Sequence, residues 1–450
     1  MPSHNVLCIG SGGREHALVA AIVASEGLEV CYAAPGNPGM AALDKVQCVD
    51  LEPANHQDVI AFCREHDVTL VVIGPEQPLV DGLVDTLREH EIPAFGPSAY
   101  AAQLEGSKAF AKEFMAEFGI PTAASELFTL STDADALAIK EWIEHQANLP
   151  IVLKADGLAA GKGVFVCETL KDVTAALEQC LASESLREAS TQLVVEEFME
   201  GEEASVFVIT DGYSSKILGV AQDHKRIYDG DKGPNTGGMG AYSPAPVVTD
   251  ALLNQIQQTI IELTITGLQV KDAPYTGILY VGLMMTEAGP KVVEYNCRFG
   301  DPECQCILPC IQNDFIKLCE TTVQQELDEV EVTHSGESTC CVVLAAEGYP
   351  SSYPKGMLIR GLDQVETVRN ESNEPAMVFH AGTATDEQGR VVTKGGRVLT
   401  LVGRGATLQE AVTHAYKAVD VIDFEHKTYR KDIAQKGLYR LQWLNRLQEK

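Results

Sequence analysis

Residues 151–166 read Ile151-Val152-Leu153-Lys154-Ala155-Asp156-Gly157-Leu158-Ala159-Ala160-Gly161-Lys162-Gly163-Val164-Phe165-Val166. Short apolar runs at both ends predict two strands, and the glycine-rich centre predicts the turn that joins them. A phosphate loop of the G-x4-G-K-[ST] type would need a helix after it. Here only three residues separate Gly157 from Gly161, Gly163 stands where Ser or Thr belongs, and an apolar strand follows. The stretch is therefore a hairpin. Its glycines let backbone amides close on a phosphate, and Lys154 and Lys162 add positive charge. An ordinary hairpin with incidental lysines is the competing explanation. Two lysines and three glycines within ten residues weigh against it.

Upstream, the first hundred residues alternate strand and helix. Strands are expected over 5–9, 29–33, 46–49 and 69–73, with helices over 17–25 and 55–66. Buried strands alternating with helices predict a doubly wound, Rossmann-like α/β domain. Gly10-Ser11-Gly12-Gly13-Arg14-Glu15-His16 forms the first glycine turn, but Glu15 occupies the third glycine of a dinucleotide motif. Ala33-Ala34-Pro35 stands where a ribose-binding acid belongs. An NAD site is thus disfavoured, and a phosphate or sugar site at the carboxyl ends of the strands is expected instead. Asn37 and Glu76 end neighbouring strands and would face the same crevice. Ser107 is expected to cap a helix over 108–118, with Phe110, Phe114 and Phe118 as its buried stripe and Gly119 as its stop.

Downstream, the stretch 193–203 is expected to be a strand and a short bend, followed by a second strand over 204–209, which together form a base-binding hinge. Adenine could lie against Phe198 and Met199, and Glu203 could accept from ribose hydroxyls. Val292-Val293-Glu294-Tyr295-Asn296 places Glu294 and Asn296 on one strand face. Two hard oxygen donors there suit Mg²⁺, which keeps waters and phosphate oxygens in its shell. Arg298, Asp301 and Glu303 follow in Asn296-Cys297-Arg298-Phe299-Gly300-Asp301-Pro302-Glu303. Gln222-Asp223-His224-Lys225-Arg226 supplies further charge. The stretch 233–242, Gly-Pro-Asn-Thr-Gly-Gly-Met-Gly-Ala-Tyr, is expected to be a mobile loop over a substrate.

At 450 residues the chain has room for about three domains. It carries 64 Asp and Glu against 34 Lys and Arg, a formal charge of −30, which argues against nucleic-acid or anionic-membrane partners. The N-terminus lacks the basic start and apolar run of a signal peptide. Thirteen scattered cysteines suit free thiols in a reducing cytoplasm. Cys304, Cys306 and Cys310 lack the partners of a metal site.

The order of these motifs resembles the ATP-grasp superfamily. Gly-x-Gly-Gly-Arg-Glu-His at 10–16, Gln103-Leu104-Glu105-Gly106-Ser107-Lys108, 154–163, 233–242 and 296–303 together resemble its phosphoribosylamine–glycine ligase family. The resemblance implies an ATP-grasp fold with an N-terminal Rossmann-like domain over 1–103, an ATP-grasp domain over 104–330 with a lid near 124–195, and a strand-rich C-terminal domain over 331–450. It implies ligation of glycine to 5-phosphoribosylamine through a glycyl phosphate, with ATP as co-substrate and Mg²⁺ or Mn²⁺ as metal. Lys108, Lys154, Gly157, Gly161, Lys162, Gly163, Glu196, Phe198, Met199 and Glu203 would bind ATP, and Glu294 and Asn296 the metal. Gly12, Gly13, Glu15, Asn37, Glu76, Asp223, Lys225, Asn235, Arg298, Lys394, Gly396 and Arg397 would meet the other substrates, with Arg298, Lys154 and Asn235 catalytic. A monomer is expected. The nearest alternative is another purine-pathway ATP-grasp ligase with a different carboxylate substrate; a non-catalytic nucleotide sensor is disfavoured by the retained lysines, Glu294 and Arg298.

Overall fold

The computed structural model describes residues 3–158, 163–182, 191–365 and 376–448. The three central N-terminal strands are apolar in their centres, as burial on both faces requires, whereas the edge strand Val46–Cys48 carries Gln47 and is largely exposed. They form a five-stranded parallel sheet in the order Val46–Cys48, Leu28–Pro35, His4–Gly10, Leu70–Ile73, Ala94–Phe95. The order reverses beside His4–Gly10, and at that switch point the glycine turn and Glu76 emerge together. One expected boundary moves. The turn ends at Gly12, and Gly13–Val23 is already helix, with the Glu15 carboxylate accepting from the Gly12 amide at 2.7 Å. Acid in a first helical turn satisfies an otherwise unpaired N–H and complements the helix dipole.

The second layer is an antiparallel sheet that runs Gly289–Asn296, Gly277–Thr286, Glu202–Thr210, Ser215–Asp223, Gly240–Ser243, Ser338–Ala346, Arg397–Gly405, Ala376–His380, with Lys427–Thr428 added beside Ser338–Ala346. Gly240–Ser243 pairs with Ser338–Ala346, so one sheet crosses the expected domain cut at 330. The lid is a smaller sheet, Ser125–Thr129, Gln192–Glu197, Ile151–Ala155, Val164–Cys167, backed by the helices Asp133–Gln146 and Leu170–Ala182. Ile151–Ala155 and Val164–Cys167 form the expected antiparallel hairpin, with Lys154 opposite Val164.

The stretch 233–242 departs from the mobile loop expected of it. Met239 and Tyr242 are fully buried, and Gly240–Ser243 is a strand inside the large sheet. Its glycines answer to close packing. Gly238 and Gly240 have φ of +112° and +158°, and a Cβ on Gly240 would lie 2.6 Å from the Cys341 carbonyl oxygen.

Candidate active site

Three groups of charged side chains meet where the lid, the large sheet and the N-terminal sheet approach one another. The first is buried under the lid. Lys154 Nζ lies 2.9 Å and Lys112 Nζ 3.0 Å from the two oxygens of Glu196, all three residues being nearly excluded from solvent. Lys154 also donates to the Val293 carbonyl at 3.0 Å, one residue before Glu294. Glu196 is thereby an anchor that aims Lys154. Its carboxylate accepts from both lysines, on the face of the lid sheet where a nucleotide contact was expected. Lys112 was not anticipated from the sequence; its signal was a lysine one turn after Lys108. Burial lowers the Lys112 and Lys108 pKa values, against the pull of nearby carboxylates.

Lys108 stands at the start of the helix Lys108–Phe118, whose cap is Ser107, as expected. Its Nζ reaches the Gly157 carbonyl at 3.2 Å, while Asp156 accepts from the Ala109 amide at 2.7 Å. The helix N-terminus thus holds the base of the glycine hairpin. Gly161 and Lys162 lie outside the described residues. Beyond the hairpin, Phe198 is 40% exposed on the hinge and Met199 half-buried, leaving an apolar surface for a base.

The second group is acidic. Lys225 Nζ lies 2.7 Å from Glu203 and 3.8 Å from Glu294, and it carries Asp223 as a further neighbour. Burial opposes the Lys225 charge, but these carboxylates hold its pKa well above normal. Asp223 is pushed up to about 6 by burial and by Glu203 and Glu294, with Lys225 opposing. Glu303 is pushed up to about 8 by burial and by Asp223. Four carboxyl groups around one ammonium leave negative charge without enough counter-charge. A divalent cation fits that deficit, with Glu294 and Asn296 as oxygen donors on one strand face. No three His, Cys, Asp or Glu side chains form a ready cage among the described residues, so water and phosphate oxygens would complete the shell. Glu287 lies exposed in the turn after Gly277–Thr286, away from that face.

The third group joins the N-terminal unit to the large sheet. Arg298 Nε donates to Glu76 at 3.2 Å and Nη2 to Glu105 at 2.5 Å. Burial opposes the Arg298 charge, yet Glu105 and Glu76 raise its pKa above the ordinary value. Glu76 falls to about 2 because Arg298 and Arg14 outweigh its burial. Glu105 also accepts from the Cys297 amide at 2.7 Å, and burial pushes its carboxyl up. Arg14 donates to Glu15 at 2.5 Å and to the Phe299 carbonyl at 3.3 Å. Glu15 is consequently spent on Arg14 and Gly12. Asn37 is spent too, its amide donating to the Ser11 and His380 carbonyls, each at 2.9 Å, and its oxygen accepting from Met40. Both are struts that shape the crevice, where direct substrate contact was expected.

Arg397 donates to the Gly237 carbonyl at 2.7 Å and pairs with Asp301 at 3.3 Å. Gly396 is buried beneath the Tyr349 ring, and Lys394 is exposed nearby. Asn235 pairs with Arg226 across a short hairpin. Cys304, Cys306 and Cys310 point to three different carbonyls, those of Arg14, Ala241 and Glu337, and form no common centre.

Comparison with known proteins agrees with this layout. Residues 4–105 match the phosphoribosylglycinamide synthetase N domain, 106–304 its ATP-grasp (A) domain and 339–436 its C domain. A phosphoribosylamine–glycine ligase of Mesorhizobium japonicum is 48% identical over 436 residues, 97% of this chain and 99% of that one. One from Neisseria meningitidis is 45% identical, covering 97% of this chain and 100% of its own. The crystal structure of phosphoribosylamine–glycine ligase from Thermotoga maritima superposes with a TM-score of 0.78 at 33% identity, covering 95% of this chain and 99% of that one. A biotin carboxylase domain from Hydrogenobacter thermophilus, 17% identical with a TM-score of 0.68, shares the fold. Three consecutive domain models and 48% identity over 97% of the chain establish that it belongs to the phosphoribosylglycinamide synthetase family, within the ATP-grasp fold.

Proposed function

We propose that the chain couples ATP cleavage to the joining of glycine and 5-phosphoribosylamine, yielding glycinamide ribonucleotide, ADP and phosphate. The observation that carries this reading is Arg298, fixed between Glu76 of the N-terminal unit and Glu105, at the end of the strand that bears Glu294 and Asn296. One guanidinium therefore stands between a nucleotide crevice and the switch point of the parallel sheet, where a second substrate would lie.

ATP enters between lid and large sheet. Lys108, Lys154 and the hairpin amides around Gly157, Gly161, Lys162 and Gly163 hold its phosphates, Phe198 and Met199 its base, and Glu203 its ribose. Glu294 and Asn296 would hold Mg²⁺ or Mn²⁺, which would supply charge neutralisation on the phosphates. Glycine lies over Asp223, Lys225 and Asn235, its ammonium toward the carboxylates. A carboxylate oxygen of glycine attacks the γ-phosphorus, the bond to ADP breaks, and a glycyl phosphate results. Arg298 and Lys154 bear the charge that develops on the transferring group. The amine of 5-phosphoribosylamine then attacks the glycyl carbon, phosphate leaves with the bridging oxygen, and the amine loses a proton. Gly13, the first residue of the helix Gly13–Val23, presents its amide to the sugar phosphate, and Gly12, whose own amide is held by Glu15, allows the close approach, with Glu76, Lys394, Gly396 and Arg397 lining the same crevice. No protein nucleophile is required; catalysis consists of positioning and electrostatic stabilisation. Among the described residues no cysteine pair forms a disulfide, which suits a reducing cytoplasm, and we place the chain there as a monomer.

Phosphate release from ATP is expected only when glycine and 5-phosphoribosylamine are supplied together with Mg²⁺, measured by a continuous phosphate assay. Equal release with bicarbonate or formate in place of glycine would overturn the assignment and favour another ATP-grasp ligase.

A further inference from the structure

Among the described residues, the hairpin formed by Arg226–Tyr228 and Lys232–Asn235 is a two-stranded sheet that joins no larger one. A lone hairpin is marginal in water. This one has little apolar surface to bury: Ile227 is buried, but Tyr228 is 60% exposed. Its turn is costly as well, because Gly230 and Asp231 have φ of +71° and +54°, and Asp231 carries a side chain in the left-handed region. Nevertheless both of its ends are attached to proposed substrate residues. Lys225 precedes it, Asn235 closes it, and the Thr236 amide and hydroxyl both donate to the Lys225 carbonyl at 2.8 Å.

What holds the turn comes from a segment some two hundred residues away. Arg430, 1% exposed, donates through Nη1 to the Arg226 carbonyl at 3.1 Å and to Asp231 at 2.8 Å. Its Nε and Nη2 form a two-pronged pair with Asp432 at 2.8 and 2.7 Å. Asp432 in turn accepts from the Gly230 amide at 2.8 Å, and Asp229 accepts from the Lys431 amide at 2.8 Å. Lys436 pairs with the other oxygen of Asp231. The planar fork of arginine reaches a carbonyl and two carboxylates at once, which a lysine ammonium cannot reproduce.

We propose that Arg430 is a positioning residue for the ligation: through Asp231, Asp432 and the Arg226 carbonyl it fixes the hairpin that sets Lys225 and Asn235 over glycine. Arg430 touches no substrate itself. The inference rests on the assignment of Lys225 and Asn235 to the substrate site. Loosening the hairpin misplaces those two groups while the buried Lys112–Glu196–Lys154 group, which orients the nucleotide, stays intact.

R430K and D231N test it, since each keeps one side of the network, with K225M run in parallel. Three quantities are read: kcat/KM for glycine, ADP affinity by calorimetry, and hydrogen exchange of amides 226–236. R430K and D231N are expected to lower kcat/KM for glycine about tenfold. Exchange in 226–236 should accelerate, and ADP affinity should stay unchanged. Unaltered exchange and unaltered kinetics in R430K would overturn the proposal, as would a loss of ADP affinity equal to the loss in kcat/KM. Normal glycine kinetics in K225M would instead overturn the site assignment, and the exchange data would still decide whether Arg430 holds the hairpin.

Discussion

Replacing Arg298 with lysine is expected to cut kcat about 10²- to 10³-fold while the protein still folds. The native guanidinium satisfies Glu76 and Glu105 with separate N–H groups, and it donates to the Phe299 carbonyl at 3.1 Å as well. A lysine ammonium is a compact point charge that cannot span the separate positions of Glu76 and Glu105 with a rigid fork or present a planar pair of donors to a transferring phosphoryl group. Alanine should be worse for a second reason. It leaves the buried Glu105 without its counter-ion, and breaking a buried pair from one side costs about 3–5 kcal/mol. R298A should therefore show both a lowered denaturant midpoint and a lost rate. R298K should show chiefly the lost rate. Steady-state kinetics beside urea unfolding separate the two, and R298K with normal kcat would remove Arg298 from the reaction.

The second large effect is expected at Glu294. E294Q keeps the size of the side chain and removes its charge. Glu294 is half exposed to the crevice and lies 3.8 Å from Lys225, which retains Glu203 as partner, so the fold should survive with an unchanged thermal midpoint. Turnover should fall by about 10²-fold or more, because losing charge neutralisation on the phosphates removes several kcal/mol from transition-state stabilisation. The Mg²⁺ concentration for half-maximal rate should rise as well. Near-normal activity and an unshifted Mg²⁺ requirement would exclude Glu294 as a metal ligand.

Much of this site was legible in the sequence because its motifs are local. The glycine hairpin at 151–166, the cap at Ser107 and the paired oxygens at Glu294 and Asn296 are set by short-range periodicity and turn chemistry, and they stand in the expected places. Glu15, Asn37 and Glu196 were read as substrate or nucleotide contacts, since a polar residue beside a crevice looks like a ligand. The fold spends them on protein partners: Arg14 and Gly12 beside Glu15 in the chain, the distant His380 carbonyl for Asn37, and Lys112 with Lys154 for Glu196. The partners of Asn37 and Glu196 lie up to 343 residues away in the chain, beyond any local pattern. The stretch 233–242 failed for a different reason. Glycine serves close backbone approach as readily as mobility, and only the sheet that receives Gly240–Ser243 tells which. Arg430 was invisible because its importance lies wholly in a hairpin two hundred residues upstream.

Net charge, read alone, excluded large polyanions and left small ones open. The structure shows how an acidic chain keeps its cations local: Lys112 and Lys154 share Glu196, Arg298 sits between two glutamates, and Arg397 is held by Asp301. Each cation is pre-positioned by a carboxylate, so little reorganisation is needed when a phosphate arrives.

The central claim, that glycine's own carboxylate is phosphorylated before the amine attacks, is tested most directly by oxygen transfer. Glycine labelled with ¹⁸O in its carboxylate is supplied with ATP and 5-phosphoribosylamine, and the released phosphate is weighed by mass spectrometry. The account predicts one labelled oxygen in each phosphate, appearing in step with product. Unlabelled phosphate formed at the rate of product would contradict it.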